Sequence, residues 1–217
     1  MASRLVLDSL AELAPTLGGI ASAPDLHEEE RATDRLTTMA EQAHASILTH
    51  AAQHPPLYGM GTTLVMAHLL PLPKPRLLVL NVGDSRAYLV RAGTLTQLTR
   101  DHTLIEEYVR DGRLTPTQAA CHPNRHVLTR AMGLAPHLES DLFFFDLLDG
   151  DLLLLCSDGL TKMLTDERIL QTVRPHRHIP SLATQALIHT ALDAGGLDNV
   201  TVVACTITEI PDQANIH

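Results

Sequence analysis

The chain has 217 residues, of which 45% are hydrophobic and 19% charged, and its formal net charge is −9. This balance excludes disorder over most of the length and supplies enough apolar side chains for one domain with its own core. Aromatic residues make up only 3%. Together with the acidic charge, that argues against a nucleic-acid partner, which needs basic surfaces and stacking platforms.

The first half of the chain predicts two helices followed by a β-meander. Apolar spacing predicts helices over 4–13 and 28–52 with a loop at 15–24 between them, and one face of the second helix carries Leu36, Met39, Ala43 and Ile47. Prolines 55 and 56 end that helix. Alternating apolar residues between Pro and Gly turns predict strands at 62–68, 76–82, 87–91 and 94–98.

The second half predicts short helices and further strands. Asp101 is the expected cap of a helix over 101–112, and Thr115 the N-cap of a shorter one. Strands are expected at 138–147, 152–156 and 200–208, and helices at 166–173 and 180–194, the last with Leu182, Ala186 and His189 on one face. We expect one domain over 1–210 and a polar, frayed tail over 211–217.

The cysteines and histidines do not indicate a zinc or redox site. Cys121, Cys156 and Cys205 lack the spacing of such motifs, and the last two lie in apolar strand segments where buried thiols are expected. His122 and His126 are separated by a proline, which excludes the helical zinc motif. Because the sequence shows no signal peptide and no apolar run of about 18 residues, we expect a cytoplasmic protein with no membrane contact.

Two acidic motifs next to strands are the strongest functional signal. Asp158 follows the apolar strand 152–156, and Asp198 precedes the last strand. A rigid sheet can aim both carboxylates, and hard divalent cations such as Mg²⁺ and Mn²⁺ prefer oxygen ligands. The two aspartates are therefore candidate metal ligands. The alternative for each motif alone is an ordinary turn, because Asp-Gly and Asp-Asn pairs form turns readily.

Further motifs in the same order point to a known family. They comprise Gly-Met-Gly-Thr-Thr at 59–63, a Gly-Asp-Ser corner at 83–85, Asp-His-Thr at 101–103 and the segment 123–131. With the two aspartate motifs they resemble the metal-dependent protein serine/threonine phosphatases, the PPM or type 2C family, most closely its compact bacterial members. The resemblance implies an α+β fold, a four-layer α-β-β-α sandwich, in which water bound by two metal ions attacks phosphoserine or phosphothreonine.

The resemblance also implies roles for individual residues. Asp158 and Asp198 match the ligands of the first metal ion, and Asp84 matches a ligand of a third ion. The complete family site holds two to three Mn²⁺ or Mg²⁺ ions. Residues that match structural motifs are Gly61, Thr62, Gly83, Gly159 and Asn199.

Weaker candidates surround this set. Arg86 and Arg125 are candidate contacts for an anionic substrate, with surface or structural ion pairs as the alternative, and His126 is a candidate contact to the third ion through water. The segment 104–124 matches a mobile flap of bacterial relatives, or is an ordinary helical insertion over a sheet edge.

The chain also departs from the family pattern. The leading strands and the Asp-Gly-x-Gly-Gly loop have no counterpart in the 217 residues, so we expect fewer and weaker metal ions, impaired activity and strand edges open to self-association. Lys162 stands where many relatives carry an acidic residue. Its ammonium would repel cations, or it points to solvent.

Two classes of function follow. The first is a protein phosphatase acting on phosphorylated proteins, opposing a serine/threonine kinase or acting on a small anti-sigma-antagonist protein. The second is a pseudophosphatase, which binds a phosphoprotein or a regulatory partner without turnover.

Overall fold

A computed structural model describes residues 1–13, 27–70 and 74–208. The loop expected at 15–24 and the tail expected at 211–217 lie outside these residues. The chain divides into two compact units. The first comprises Met1–Val65, Leu80–Asp84 and Asp101–Leu142; the second comprises Met66–Val79, Ser85–Arg100 and the chain from Phe143 onward.

Over the described ranges, helices and strands are mixed along the chain and the strands form two sheets. The helices are α1 Ala2–Leu13, α2 Glu28–Gln53, α3 Leu104–Arg110, α4 Pro116–Ala120, α5 Asp158–Thr161, α6 Asp166–Val173 and α7 Pro180–Asp193. The strands are β1 Leu64–Leu70, β2 Arg76–Val82, β3 Arg86–Arg91, β4 Thr94–Gln97, β5 Asp141–Asp146, β6 Leu152–Cys156 and β7 Val202–Thr206. One sheet has the order β1-β2-β5 and the other β4-β3-β6-β7. The predicted α+β class is thereby confirmed.

Helix α2 forms the core of the first unit. Its predicted apolar face is buried throughout, at Leu36, Met39, Ala43 and Ile47. His44 on the same helix is also buried: its Nδ1 accepts a hydrogen bond from the Gly133 N–H and its Nε2–H donates to the Ala135 carbonyl, both at 3.0 Å. The helix is therefore fixed to the segment before β5 by polar as well as apolar contacts.

The antiparallel sheet β4-β3-β6-β7 organises the second unit. Tyr88, Leu154 and Ala204 lie side by side across three adjacent strands, β3, β6 and β7. One face packs against α6 and α7, whose buried residues are Ile169, Val173, Ala183, Leu187 and Ala191. This corrects the face expected for α7, since Leu182 is 41% exposed. The helix has apolar residues on most sides, so periodicity alone selected the wrong one.

The other face of that sheet is only partly covered. A cavity of about 200 Å³ is lined by Ala67, Leu69, Leu77, Leu153, Leu155, Val203, Cys205 and Ile207. Val203 is 56% exposed, and Cys205 is exposed whereas Cys156 is buried. The expectation of a buried thiol is therefore wrong for Cys205, because alternate residues of β7 point away from the helices.

Local capping decides where the two short helices begin. The predicted capping by Thr115 is confirmed, with reciprocal bonds between Thr115 and Gln118. Capping by Asp101 is wrong: helix α3 begins at Leu104, and the Thr103 hydroxyl accepts the Glu106 N–H at 3.2 Å. Among the described residues, every helix is too short or too polar to pass through a lipid bilayer.

Candidate functional site

The turn between β6 and α5 presents the first predicted ligand. Strand β6 ends at Cys156, Ser157 is extended, and α5 begins at Asp158. The Ser157 hydroxyl donates to the Asn199 carbonyl and accepts from the Thr201 N–H, each at 3.1 Å. These bonds attach the start of α5 to the segment that enters β7, which carries the second predicted ligand.

Gly159 allows the two segments to approach closely. A Cβ atom at this position would lie only 2.2 Å from the carbonyl oxygen of Asn199. Any larger residue would therefore push the Asp198-Asn199 backbone away. Asn199 also donates its N–H to Asp198 Oδ1 at 2.8 Å, which orients that carboxylate.

Lys162 joins the two aspartates. Its Nζ lies 2.6 Å from Asp158 Oδ2 and 2.8 Å from Asp198 Oδ2, and only 25% of its side chain is exposed. Of the two interpretations of Lys162, the one in which it points to solvent is wrong. The reason lies in the helix: Lys162 follows Asp158 by four residues, one helical turn, so both side chains project from the same face.

The charges at this site stabilise one another. Hydrogen bonds from Lys162 and from the Asn199 N–H hold the pKa of Asp198 below its usual range. Partial burial by itself lowers the pKa of Lys162, but the hydrogen bonds to Asp158 and Asp198 outweigh it and raise that pKa. Both shifts favour the charged forms of Lys162 and Asp198.

The Lys162 ammonium lies between the two carboxylates, in the position that a divalent ion would take. Within the described part of the chain, no group of three or more His, Cys, Asp and Glu side chains is placed to hold a metal. One oxygen of each carboxylate, Asp158 Oδ2 and Asp198 Oδ2, is bonded to the Lys162 ammonium. A divalent cation takes about six oxygen ligands, so an ion at these two carboxylates would compete with Lys162 and would take most of its ligands from water.

Asp84, the third predicted ligand, lies in the first unit at a closely packed corner. Gly83 has φ of +103°, and a Cβ there would meet the Thr63 side chain at 2.3 Å. The Gly83 N–H donates to His102 Nδ1 at 3.1 Å. This geometry requires glycine at position 83. Metal binding by Asp84, which is half-buried, stays a prediction.

The Gly-Thr-Thr motif also lies in the first unit. Thr62 pairs with Met132 in an isolated antiparallel bridge. A Cβ on Gly61 would lie 2.9 Å from the Met132 carbonyl oxygen. Both residues are thus placed against the segment that precedes β5.

A buried histidine network was not assigned a role from the sequence. His102 is 4% exposed, its Nε2 lies 3.4 Å from Asp141 Oδ2, and Arg130 Nη1 donates to Asp141 Oδ1 at 2.7 Å. Burial lowers the pKa of His102. Burial raises the pKa of Asp141, but hydrogen bonds from Arg130 and His102 outweigh it and lower that pKa. The Asp-His-Thr motif at 101–103 is the signal that could have indicated this network.

The weaker candidates differ in their surroundings. Arg86 donates to the Tyr88 hydroxyl at 2.8 Å, and that hydroxyl donates to Asp166 Oδ1 at 2.9 Å. Arg86 thus takes part in a hydrogen-bonded network that includes a buried tyrosine. Arg125 and His126 are exposed on the loop before β5. Contacts of these three side chains with a substrate or an ion stay predictions.

Comparison with known proteins places the chain in a family. The protein phosphatase 2C family matches residues 17–110. The serine/threonine protein phosphatase PstP of Mycobacterium tuberculosis is 39% identical over 195 residues, covering 88% of this chain and 36% of PstP. The serine/threonine phosphatase stp of Listeria welshimeri is 38% identical over 163 residues, covering 75% of this chain and 63% of stp. The chain thus spans less than two thirds of the length of either relative.

Solved structures agree with the sequence matches. The crystal structure of the catalytic domain of PstP, in complex with 2 manganese ions, superposes with a TM-score of 0.76 at 35% identity. The match covers 96% of this chain and 81% of the PstP chain in that structure. Sequence and fold therefore agree that this chain belongs to the PPM, or protein phosphatase 2C, family.

Proposed function

We propose that the chain is a protein serine/threonine phosphatase domain that hydrolyses phosphoserine and phosphothreonine with the assistance of Mn²⁺ or Mg²⁺. One observation carries the proposal: Asp158 and Asp198, far apart in sequence, face each other across a single cation, the Lys162 ammonium. Facing carboxylates supply the oxygen ligands that Mn²⁺ and Mg²⁺ prefer. The identity to named protein phosphatases supports the choice of substrate class.

The 217-residue chain is expected to be a weak enzyme. Asp158 and Asp198 are paired with Lys162, so a metal ion has to compete for them. When bound, the ions would supply a reactive hydroxide and neutralise phosphoryl oxygens, but this ligand set alone would hold them weakly.

The partners follow from the proposed reaction. The substrate is a phosphorylated protein, the product of a serine/threonine kinase, and the site of action is the cytoplasm. The net charge of −9 disfavours polyanionic partners such as nucleic acids, and no membrane partner is proposed.

The test is hydrolysis of a phosphothreonine peptide by the purified chain, with and without Mn²⁺. We expect slow, Mn²⁺-dependent release of phosphate that Asp158→Asn abolishes. Asp193→Asn is the matched control, since Asp193 is an exposed aspartate at the end of α7. Turnover that survives in the Asp158→Asn variant would contradict the role of Asp158.

The Lys162 ammonium favours a second candidate, the pseudophosphatase. A site that already holds an internal cation needs no metal ion to remain folded, so it could bind a phosphoprotein without turnover. The phosphatase and the pseudophosphatase can be distinguished by measuring binding of the same phosphothreonine peptide to the chain in the presence of a chelator. Binding without phosphate release, even in excess Mn²⁺, supports the pseudophosphatase, whereas Mn²⁺-dependent release supports the phosphatase.

A further inference from the structure

We propose that Lys162 is an internal counter-ion that takes the place of a divalent cation between Asp158 and Asp198 and competes with metal ions for both carboxylates. The inference rests on the proposed function only in treating these two aspartates as metal ligands. Lys162 would thereby control the affinity of the site for metal ions. This role is tested by measuring metal binding and stability rather than turnover.

The contact geometry is that of a shared cation. The two distances from Nζ, 2.6 Å and 2.8 Å, are those of charge-assisted hydrogen bonds. An ammonium carries three donors, so one group can serve both carboxylates. Without a cation between them, Asp158 and Asp198 would repel each other across a narrow gap.

The surrounding backbone holds the lysine where this contact forms. Lys162 is the C-cap of α5, and its N–H donates to the Asp158 carbonyl at 2.8 Å. Close contact between Gly159 and Asn199 places α5 against the Asp198 segment. The base of the Lys162 side chain is therefore fixed relative to both carboxylates, and the short contacts follow from the fold rather than from a freely moving surface chain.

Competition with metal ions follows from charge. A cation that enters between the carboxylates must either displace the ammonium or lie a few ångströms from it, and like charges at that separation repel strongly where water is partly excluded. Lys162 thus lowers the affinity for metal ions. It also stabilises the metal-free site, because it already neutralises one of the two negative charges there.

The experiment measures Mn²⁺ binding by isothermal titration calorimetry, and thermal melting in chelator, for the wild type and three variants. In Lys162→Gln, which removes the charge, we expect the dissociation constant for Mn²⁺ to fall by about tenfold or more. The same variant should melt at a lower temperature than the wild type in chelator, and Mn²⁺ should raise its melting temperature more than that of the wild type.

The chain offers matched controls. Lys74, its only other lysine, is exposed, so Lys74→Gln removes the same charge away from the two carboxylates and should behave as the wild type. Lys162→Arg keeps the charge and should retain weak Mn²⁺ binding and metal-free stability. Equal Mn²⁺ affinity in the wild type and in Lys162→Gln would overturn the inference, as would equal melting temperatures in chelator.

Two further outcomes are also decisive. A Lys162→Gln chain that is unfolded in chelator but folds when Mn²⁺ is added supports the inference. A chain that stays unfolded in both conditions overturns it, because no metal then replaces the ammonium.

The proposed function can fail independently of the role of Lys162. If Lys162→Gln binds Mn²⁺ more tightly but no variant hydrolyses the peptide, the proposed phosphatase activity is contradicted. The proposed role of Lys162 as a counter-ion is then still supported.

Discussion

At the scale of single residues, His102 makes the stability of the first unit depend on pH. It is buried, it accepts the Gly83 N–H, and it lies beside Asp141. Burial lowers its pKa, so the folded chain prefers the neutral ring, with Nδ1 as acceptor and Nε2–H directed at Asp141. Protonation would place a second hydrogen on Nδ1, opposite the Gly83 N–H, and would disrupt the corner that carries Asp84.

This predicts a loss of stability in mild acid. The unfolded chain takes up a proton at His102 near pH 6.5, whereas the folded chain does so only at lower pH. Stability from this residue is therefore complete above pH ~6.5 and is lost as the pH falls toward the folded pKa, at up to about 1.4 kcal/mol per pH unit. Urea unfolding at pH 7.5 and 5.5 measures the difference.

The variant His102→Asn removes the titration while keeping an acceptor for the Gly83 N–H. We expect its stability to change less between the two pH values than that of the wild type. His189→Asn, at an exposed position on α7, is the control and should retain the wild-type pH dependence. If His102→Asn loses as much stability as the wild type between pH 7.5 and 5.5, His102 does not carry the effect.

At the scale of elements, the site depends on how closely α5 approaches the segment before β7. Gly159 lies at the contact and its missing Cβ leaves room for the Asn199 carbonyl. Ser157 closes the same junction with hydrogen bonds to Asn199 and Thr201. The spacing between Asp158 and Asp198 is thus set by main-chain packing and does not depend on a cation between the two carboxylates.

Gly159→Ala is therefore expected to affect both stability and metal binding. The added methyl group must displace backbone atoms, which costs about 1 to 3 kcal/mol, and it moves Asp198 away from Asp158 and Lys162. Chemical denaturation measures the first effect and Mn²⁺ titration the second. Ser157→Ala keeps the close approach but removes two hydrogen bonds, so it should lose stability with a smaller change in Mn²⁺ affinity. Wild-type stability in Gly159→Ala would refute the close-packing argument.

At the scale of the whole molecule, the second unit leaves apolar surface uncovered. Strand β7 is at the edge of the four-stranded sheet among the described residues, and Val203 and Leu69 are 56% and 48% exposed beside the 200 Å³ cavity. An edge strand with exposed apolar side chains can pair with another chain. This exposed apolar surface beside β7 is therefore where we expect the chain to self-associate.

Val203→Lys should reduce that association. Charged side chains on an edge strand oppose strand pairing, so the variant should sediment as a smaller species than the wild type at high protein concentration. Leu192→Lys is the matched control, because Leu192 is 54% exposed but lies on helix α7. A wild-type chain that sediments as a monomer at every concentration would contradict the prediction.

The sequence by itself determined those features that depend on local pattern. The bounds of β6 and α6 and the buried face of α2 follow from apolar periodicity. The family follows from the order of short motifs, each of which needs only a few neighbouring residues to be identified. The proximity of Asp158 and Asp198 was likewise expected, because both lie next to strands.

Only the tertiary structure decided which side chains meet across the fold. In the folded chain, Lys162 lies between two carboxylates and His102 lies beside Asp141. Ala183 rather than Leu182 is in the core, and Cys205 is exposed. Each outcome depends on the rotation of one element against another, which local periodicity does not specify. A lysine beside an aspartate motif has the same local sequence whether it points to solvent or replaces a cation, and packing across the sheet makes the difference.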